Sequence, residues 1–112
     1  MAQAHVINGR LSAVSTGLRR GLEALYGDRL ARVVLYGSHA RGDARAWSDI
    51  DVAVVLRGNV DRHRELHRCE ELVAGLSLEF DTVIHCRFLE EEAFAKADQP
   101  LLRNILKEGL PI

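Results

Sequence analysis

A short apolar run that begins with two acids, DIDVAVVL at residues 49–56, limits the fold of this chain more than any other feature. Successive side chains of a β-strand point to opposite faces of a sheet. Asp49 and Asp51 therefore share one face. Ile50 and Val52 share the other face and are expected to anchor the strand in the core. The chain must fold around a strand that is apolar on one side and carries two carboxylates at one end of the other.

The pattern around this strand predicts an α/β (α+β) fold, in which a small mixed β-sheet is backed by helices. Helices are predicted where apolar residues recur at helical spacing, and strands where β-branched and apolar residues concentrate. The predicted helices span residues 5–26, 61–75, 89–97 and 100–108. The predicted strands span residues 32–37, 49–56 and 76–86. Asp61 is expected to cap the second helix and Gly75 to end it.

Length and composition favour one domain, residues 1–112, with a packed core, since 47% of the residues are hydrophobic. Cytoplasmic residence is expected, because no apolar run reaches the roughly 18 residues of a membrane helix and no signal-peptide pattern is visible. The formal net charge of −1 gives no reason to expect nucleic acid as a partner. Cys69 and Cys86 are expected to be free thiols, because a disulfide framework in so small a chain usually uses more cysteines.

The two acids of the central strand need a partner of opposite charge. Two carboxylates that lie close together repel, and the pKa of one of them should rise until a cation binds. A divalent cation removes the conflict. Mg²⁺ suits oxygen ligands of this kind and is often completed by the phosphates of a substrate. Asp49 and Asp51 are therefore candidate metal ligands, although an isolated Asp-x-Asp is more often a solvated strand face.

Gly37 ends the first predicted strand and Ser38 follows it. Ten residues separate Ser38 from Asp49. A helix that starts at Ser38 would present free backbone N–H groups and the positive end of a helix dipole to an anion. Gly37 would let the backbone approach that anion without a Cβ atom. Together with the Asp-x-Asp that follows, the pattern indicates a triphosphate site next to a metal site.

These residues carry a resemblance to a known family. The stretch GSHARGDARAWSDIDVAVV, residues 37–55, resembles the signature of the DNA polymerase β-like nucleotidyltransferases. Ala40-Arg41-Gly42 and the Ser48 before Asp49 resemble the minimal nucleotidyltransferase branch. The ending QPLLRNILKEGLPI is similar to the usual C-terminal end of that branch. Many of its members resemble MntA-type antitoxins, which are paired with HEPN toxins.

The resemblance implies a third acid, on the strand that follows Asp51. Asp81 is the expected residue and Glu79 the alternative, both within the predicted strand 76–86. The implied metal ligands are then Asp49, Asp51 and Asp81.

Gly37, Ser38 and Arg41 are expected to bind the nucleotide together with the first two acids. Arg41 and Arg45 could equally be solvated loop residues. His85 and Cys86, at the end of the third predicted strand, could reach the cleft, but an ordinary strand end is the preferred interpretation.

The resemblance implies ATP- and Mg²⁺-dependent transfer of AMP to a hydroxyl of a HEPN toxin that a neighbouring gene encodes. Two metal ions are expected. The acceptor would be a tyrosine, and the chain would act as the antitoxin, in a hetero-oligomer with the toxin. Two alternatives stay open. One is adenylylation of a small molecule. The other is a non-catalytic antitoxin that binds its toxin without chemistry.

Overall fold

A computed structural model describes residues 9–45 and 48–112 of the protein. The helices are α1 (Gly9–Tyr26), α2 (Ser38–Arg41), α3 (Arg62–Arg68), α4 (Glu70–Phe80), α5 (Glu91–Lys96) and α6 (Pro100–Glu108). The strands are β1 (Leu30–Tyr36), β2 (Ile50–Leu56), β3 (Ile84–Glu90) and β4 (Leu110–Pro111). The start of the first predicted helix, residues 5–8, lies outside the described residues.

The described strands form one mixed sheet in the order β3-β2-β1-β4. The central pair, β1 and β2, is antiparallel, while β3 runs parallel to β2. The predicted small mixed sheet is thus confirmed. The short β4 was not predicted: it pairs with β1, and the Ile112 N–H donates to the Val33 carbonyl at 3.0 Å.

Alternate residues of β2 pack into two separate apolar cores, one on each face of the sheet. The strand is therefore apolar on both faces beyond Asp51. Ile50, Val52 and Val54 belong to a core shared with α1 and α4, and they are at most 5% exposed. The predicted anchoring of the strand is therefore confirmed. Ala53 and Val55 face a second core made with α5 and α6. Asp51, near the start of β2, belongs to neither core and is half-buried.

The predicted boundary between the helix 61–75 and the strand 76–86 is wrong. Helix α4 continues through Gly75 to Phe80, and β3 begins at Ile84. The physical reason is packing against α1. Leu72 and Leu76, one turn apart, lie against Gly21 and Gly17, where a Cβ atom would come within 2.3 and 2.9 Å of the leucine methyl groups. The burial of these leucines requires helical spacing, which overrides the β-like local composition.

A buried polar cluster joins α3 to α1. Glu65 is 2% exposed, and its Oε1 accepts a hydrogen bond from the Tyr26 hydroxyl at 2.9 Å. The guanidinium groups of Arg29 and Arg68 lie 3.7 and 3.8 Å from the same carboxylate, so the buried charge is compensated. Burial is the main reason that the pKa of Tyr26 lies well above its usual value.

Smaller expectations hold within the described residues. The Asp61 side chain accepts a hydrogen bond from the Arg64 N–H, as an N-cap does. Cys69 and Cys86 are free thiols, as predicted. Among residues 9–45 and 48–112, no helix combines the length and the apolar character needed to cross a membrane.

Candidate active site

The two acids lie at the end of the sheet where β1 finishes and β2 begins. Asp51 is half-buried and is paired across the strands with Tyr36, the last residue of β1. Asp49 precedes β2, and its side chain is 47% exposed. Both acids adjoin one residue of the neighbouring strand, because His85 pairs with Asp51 in the sheet and its Nε2 lies 2.8 Å from Asp49 Oδ2.

Gly37 brings the predicted phosphate turn into contact with the acid pair. Its backbone has φ of 78°, and a Cβ atom there would lie 2.5 Å from Asp51 Oδ2. The following residues form the short helix α2, whose Ala40 and Arg41 N–H groups donate to the Gly37 carbonyl. A glycine is therefore required both by the left-handed backbone and by the close approach to a carboxylate.

Glu108, at the end of α6, is a site neighbour that the sequence analysis missed. Its Oε1 accepts a hydrogen bond from the Gly37 N–H at 3.2 Å and lies 3.3 Å from Arg41 Nη1. Arg41 also donates to Asp43 Oδ2 at 3.2 Å. Because Glu108 is 71 residues from Gly37 in the chain, no local sequence pattern predicts this contact.

The loop that leads into Asp49 is held by hydrogen bonds on its described residues. The His39 ring, through Nε2, bonds to the Ser48 carbonyl at 3.1 Å. The Ser48 hydroxyl oxygen accepts from the Arg45 N–H at 2.8 Å. These bonds fix the backbone immediately before Asp49, so the carboxylate is presented from a defined position.

His85 lies beside the acids, so its interpretation as an ordinary strand end is wrong. It pairs in parallel register with Asp51, and its Nε2 is 2.8 Å from Asp49 Oδ2. The structure thus places a histidine, on the neighbouring strand, next to both acids. The signal was present in the sequence, but finding it required the strand register, which the misplaced third strand concealed.

The pKa of the Asp51 carboxyl is raised above its usual value, in the predicted direction. The largest cause is burial, which disfavours the charged form, and the nearby Asp49 carboxylate adds to it. His85, His39 and Arg41 act in the opposite direction. Burial, rather than repulsion within the pair, is therefore the main source of the shift.

The acids expected on the third strand do not lie on a strand. Glu79 belongs to α4, and Asp81 follows that helix in a left-handed conformation, with φ of 49° and ψ of 57°. Within the part of the chain that the structure describes, no three side chains of His, Cys, Asp or Glu are gathered to hold a metal ion. Asp81 is thus not brought together with the pair, and its role as a third ligand stays a prediction.

An open groove of about 320 Å³ runs from Asp51 along β3 toward α3. Its lining combines basic, aromatic and apolar side chains with one acid: Tyr36, Asp51, Arg62, Leu66, His85, Cys86, Arg87 and Phe88. Arg87 Nε donates to the Tyr36 hydroxyl at 3.4 Å. The groove can therefore receive an anionic or polar group next to the carboxylates.

The sequence matches a known domain family. Residues 16–112 match the model of the nucleotidyltransferase domain. The chain belongs to this nucleotidyltransferase domain family, and its enzyme class is that of a nucleotidyltransferase.

Two relatives from Methanocaldococcus jannaschii bear the name "Putative protein adenylyltransferase". One is 36% identical over 89 residues, which cover 79% of this chain and 83% of the relative. The other is 30% identical over 66 residues, which cover 59% of this chain and 66% of the relative.

Three solved structures share the fold. A Sulfolobus solfataricus protein described as a "putative nucleotidyltransferase" has a TM-score of 0.63 at 17% identity, over 88% of this chain and 76% of that one. A toxin-antitoxin structure with AMP-PNP has a TM-score of 0.62 at 21% identity, over 87% and 70%. The complex of a tri-AMPylated Shewanella oneidensis HEPN toxin with its MNT antitoxin gives 0.55 at 17% identity, over 89% and 69%.

Proposed function

We propose that this protein transfers AMP from ATP to a hydroxyl group of a partner HEPN toxin, and that the acceptor residue is a tyrosine. The single observation that carries the proposal is the contact of the Gly37 turn with Asp51, which puts a phosphate-binding element against a carboxylate pair. The names of its sequence relatives support protein adenylylation. The toxin-antitoxin structures with the same fold support a HEPN toxin as the partner, and the chain as the antitoxin.

Each residue near the turn has a part in holding the nucleotide. The backbone N–H groups at Gly37 and Ser38 bind phosphate oxygens, because the first turn of a helix leaves its N–H groups without intrahelical acceptors. Arg41 supplies positive charge to the same phosphates. Glu108 accepts a hydrogen bond from the Gly37 N–H and lies 3.3 Å from Arg41 Nη1, so phosphates that bind these two groups must displace its carboxylate.

Asp49 and Asp51 fit one divalent cation. Two carboxylates at the same sheet edge, one half-buried with a raised pKa, gain from a positive charge between them. When bound, Mg²⁺ neutralises charge on the α-phosphate and on the departing pyrophosphate. The described residues do not offer a third carboxylate beside the pair, so the donor set does not support the second ion.

The proposed reaction is an attack of the acceptor hydroxyl on the α-phosphorus of ATP. The hydroxyl oxygen forms a bond to that phosphorus, the α–β anhydride bond breaks, and pyrophosphate leaves with the electron pair. The hydroxyl proton passes to a carboxylate: the sequence predicts Asp81 as the acceptor, with Glu79 as the alternative, although the structure gathers neither with Asp49 and Asp51. The protein accelerates the reaction chiefly by positioning the reactants and by stabilising the charge that develops on the phosphates.

Label transfer tests the proposal. The protein is incubated with ATP labelled at the α-phosphate and with a purified HEPN toxin encoded beside it. Label should appear on the toxin, whereas ATP labelled at the γ-phosphate should give none. The double variant Asp49→Asn, Asp51→Asn should transfer no label. A toxin that stays unlabelled with the wild-type protein would exclude this partner and acceptor.

The position of Asp81 favours a second candidate, a non-catalytic antitoxin that binds its toxin, because the third acid is not gathered with the pair. The same double variant separates the two functions. If it still protects cells from the toxin at ordinary expression, then binding suffices. If protection is lost while the complex still forms in a pulldown, then AMP transfer is required.

A further inference from the structure

An acid ends helix α6, where the helix dipole disfavours negative charge. Glu108 is the last residue of α6 and follows Lys107, the basic residue of its last turn. The C-terminal end of a helix carries a partial negative charge, so a carboxylate there costs stability unless other groups stabilise it. The Glu108 side chain is only 26% exposed, and it lies against the turn that follows β1 rather than in solvent. Its contacts with that turn therefore offset an unfavourable position on the helix.

A single carboxylate oxygen contacts both of the groups that are proposed to hold phosphate. Glu108 Oε1 accepts a hydrogen bond from the Gly37 N–H at 3.2 Å and another from Arg41 Nη1 at 3.3 Å. Carboxylate and phosphate oxygens use the same donors, which are backbone N–H groups and guanidinium groups. The carboxylate of Glu108 thus occupies these donors as a phosphate oxygen would.

The backbone at Glu108 is anchored, so its side chain can leave the turn without a movement of the chain. The next residue, Gly109, lies against β1, where a Cβ atom would come within 2.4 Å of Val34 Cγ1. Leu110 then pairs with Leu35 in the ladder of β1 and β4. Release of the turn therefore requires the rotation of one glutamate side chain, with α6 and β4 left in place.

We infer that Glu108 is an internal competitor for phosphate, and that displacement of its carboxylate from the Gly37 turn sets the affinity for nucleotide. The inference rests on the proposed function, because the competing phosphates belong to ATP. A ligand that needs these donors binds with an affinity reduced to the fraction of molecules in which the donors are free. Removal of the Glu108 charge should therefore tighten nucleotide binding, whereas loss of a supporting residue would weaken it.

Calorimetric titration with a non-hydrolysable ATP analogue and Mg²⁺ tests the inference without measuring activity. Glu108→Gln keeps the size of the side chain but loses its charge, and a charge-assisted hydrogen bond is about twice as strong as a neutral one. The variant should bind the analogue roughly tenfold more tightly than the wild type. Tripolyphosphate, which lacks the nucleoside, should gain by a similar factor, because the competition concerns phosphate alone.

Asp43→Asn is the matched control for charge. Asp43 Oδ2 accepts a hydrogen bond from Arg41 Nε at 3.2 Å, so this variant also removes one negative charge next to Arg41. The Asp43 side chain is 61% exposed, however, and the Gly37 N–H is bonded to Glu108. Asp43→Asn should therefore tighten binding by less than about threefold, as expected for an exposed ion pair. Equal tightening by the two variants would show a general effect of charge and would overturn the inference.

A supporting role for Glu108 predicts the opposite result. If Glu108→Gln binds the analogue as weakly as the wild type or more weakly, the carboxylate supports the turn and the inference is wrong. Glu108→Ala is a second check, with thermal unfolding to show that each variant is folded. Without any side chain to compete, it should bind at least as tightly as Glu108→Gln, and binding weaker than that of the wild type would again overturn the inference.

The same titrations separate this inference from the proposed function. If the wild type binds the analogue and tripolyphosphate but Glu108→Gln binds neither more tightly, only the inference about Glu108 is wrong. If neither the wild type nor Glu108→Gln binds the analogue or tripolyphosphate, the proposed nucleotide site itself is wrong.

Discussion

At the scale of single residues, Asp51 connects stability with function. Its strand neighbours anchor β2 in the core, but its own carboxylate is half-buried beside a second acid. Burial opposes its charged form, and cationic neighbours offset only part of that cost. A residue that costs the folded protein stability in the absence of a ligand is typical of a site that awaits a cation.

This cost predicts a pH-dependent effect of Asp51→Asn. Because the folded-state pKa is raised, the stabilising contribution of Asp51 is present below its ordinary value of 3.8 and is lost as the pH rises through the folded-state value. The asparagine side chain is neutral at every pH, so Asp51→Asn does not lose this stabilising contribution. Without metal, the variant should therefore be at least as stable as the wild type at neutral pH, and its advantage should shrink toward acid.

Urea unfolding from about pH 8 to the lowest pH at which both proteins fold would measure the difference. Asp43→Asn is a control at an exposed acid and should change the free energy of unfolding by less than about 0.5 kcal/mol. A metal-free Asp51→Asn variant that is clearly less stable at neutral pH would mean that the acid pair is structural.

At the scale of elements, two glycine-dependent contacts set the architecture. One is the turn from β1 to α2 at Gly37, which touches Asp51. The other is the packing of α4 on α1, where Gly17 and Gly21 accept leucine side chains. In both places a missing Cβ atom allows a close approach, but the first serves the site and the second serves the core.

Gly37→Ala should reduce nucleotide binding, because its Cβ atom collides with Asp51 and because φ of 78° with ψ of −155° is a conformation almost confined to glycine. Gly58 offers a control for the positive φ: its φ is 83°, but a Cβ atom there meets nothing within 4 Å. Gly58→Ala therefore reports the strain, about 1 kcal/mol of stability, with normal binding of the ATP analogue. Gly37→Ala adds the collision with Asp51 and should weaken binding at least tenfold, as measured by calorimetry. Equal binding by the two variants would contradict a role for this contact.

The α1–α4 contact gives a second matched pair. Gly75, within α4, has open space at its Cβ position, so Gly75→Ala should stabilise the protein by about 0.5–1 kcal/mol through helix propensity. Gly21→Ala has the same propensity gain but forces Leu72 to move, which costs about 1–3 kcal/mol. Gly21→Ala should therefore have the lower free energy of unfolding. If both variants are equally stabilised, the two helices do not pack as closely as described.

At the scale of the whole molecule, ligand and fold are coupled through one edge of the sheet. The site draws on the end of β1, the start of β2, β3 and the end of α6. These elements meet only when the chain is folded, so a ligand that binds there binds the native state alone. Its binding free energy then adds to the free energy of unfolding.

ATP with Mg²⁺ or Mn²⁺ should therefore raise Tm more than nucleotide or metal alone. The phosphates and the carboxylates complete the same coordination shell, so the two ligands should act together. At a hundredfold excess over Kd, the added stability is about 2.7 kcal/mol. Thermal unfolding measures it, and Asp51→Asn should remove most of the gain. A full shift in that variant would place the ligand elsewhere.

The sequence by itself determined much of this protein, because those features depend on local patterns. The alternation in residues 49–56 predicted a strand, which the structure has at Ile50–Leu56, with Asp51 in it and Asp49 immediately before it. Pro100 and Gly109 bounded a helix that the structure has at the predicted residues, 100–108. The Gly37-Ser38 turn was also predicted, since a glycine before a helix start is a local signal.

The tertiary structure alone decided what depends on contacts between distant residues. The sequence 76–80 is locally compatible with a strand, but Gly17 and Gly21 of α1 offer a surface on which only helical spacing buries Leu72 and Leu76. With α4 extended by that contact, Glu79 and Asp81 lie off the third strand. The register of β3 with β2 separately puts His85 beside Asp51. Register is a property of paired strands, so no single stretch of sequence contains it.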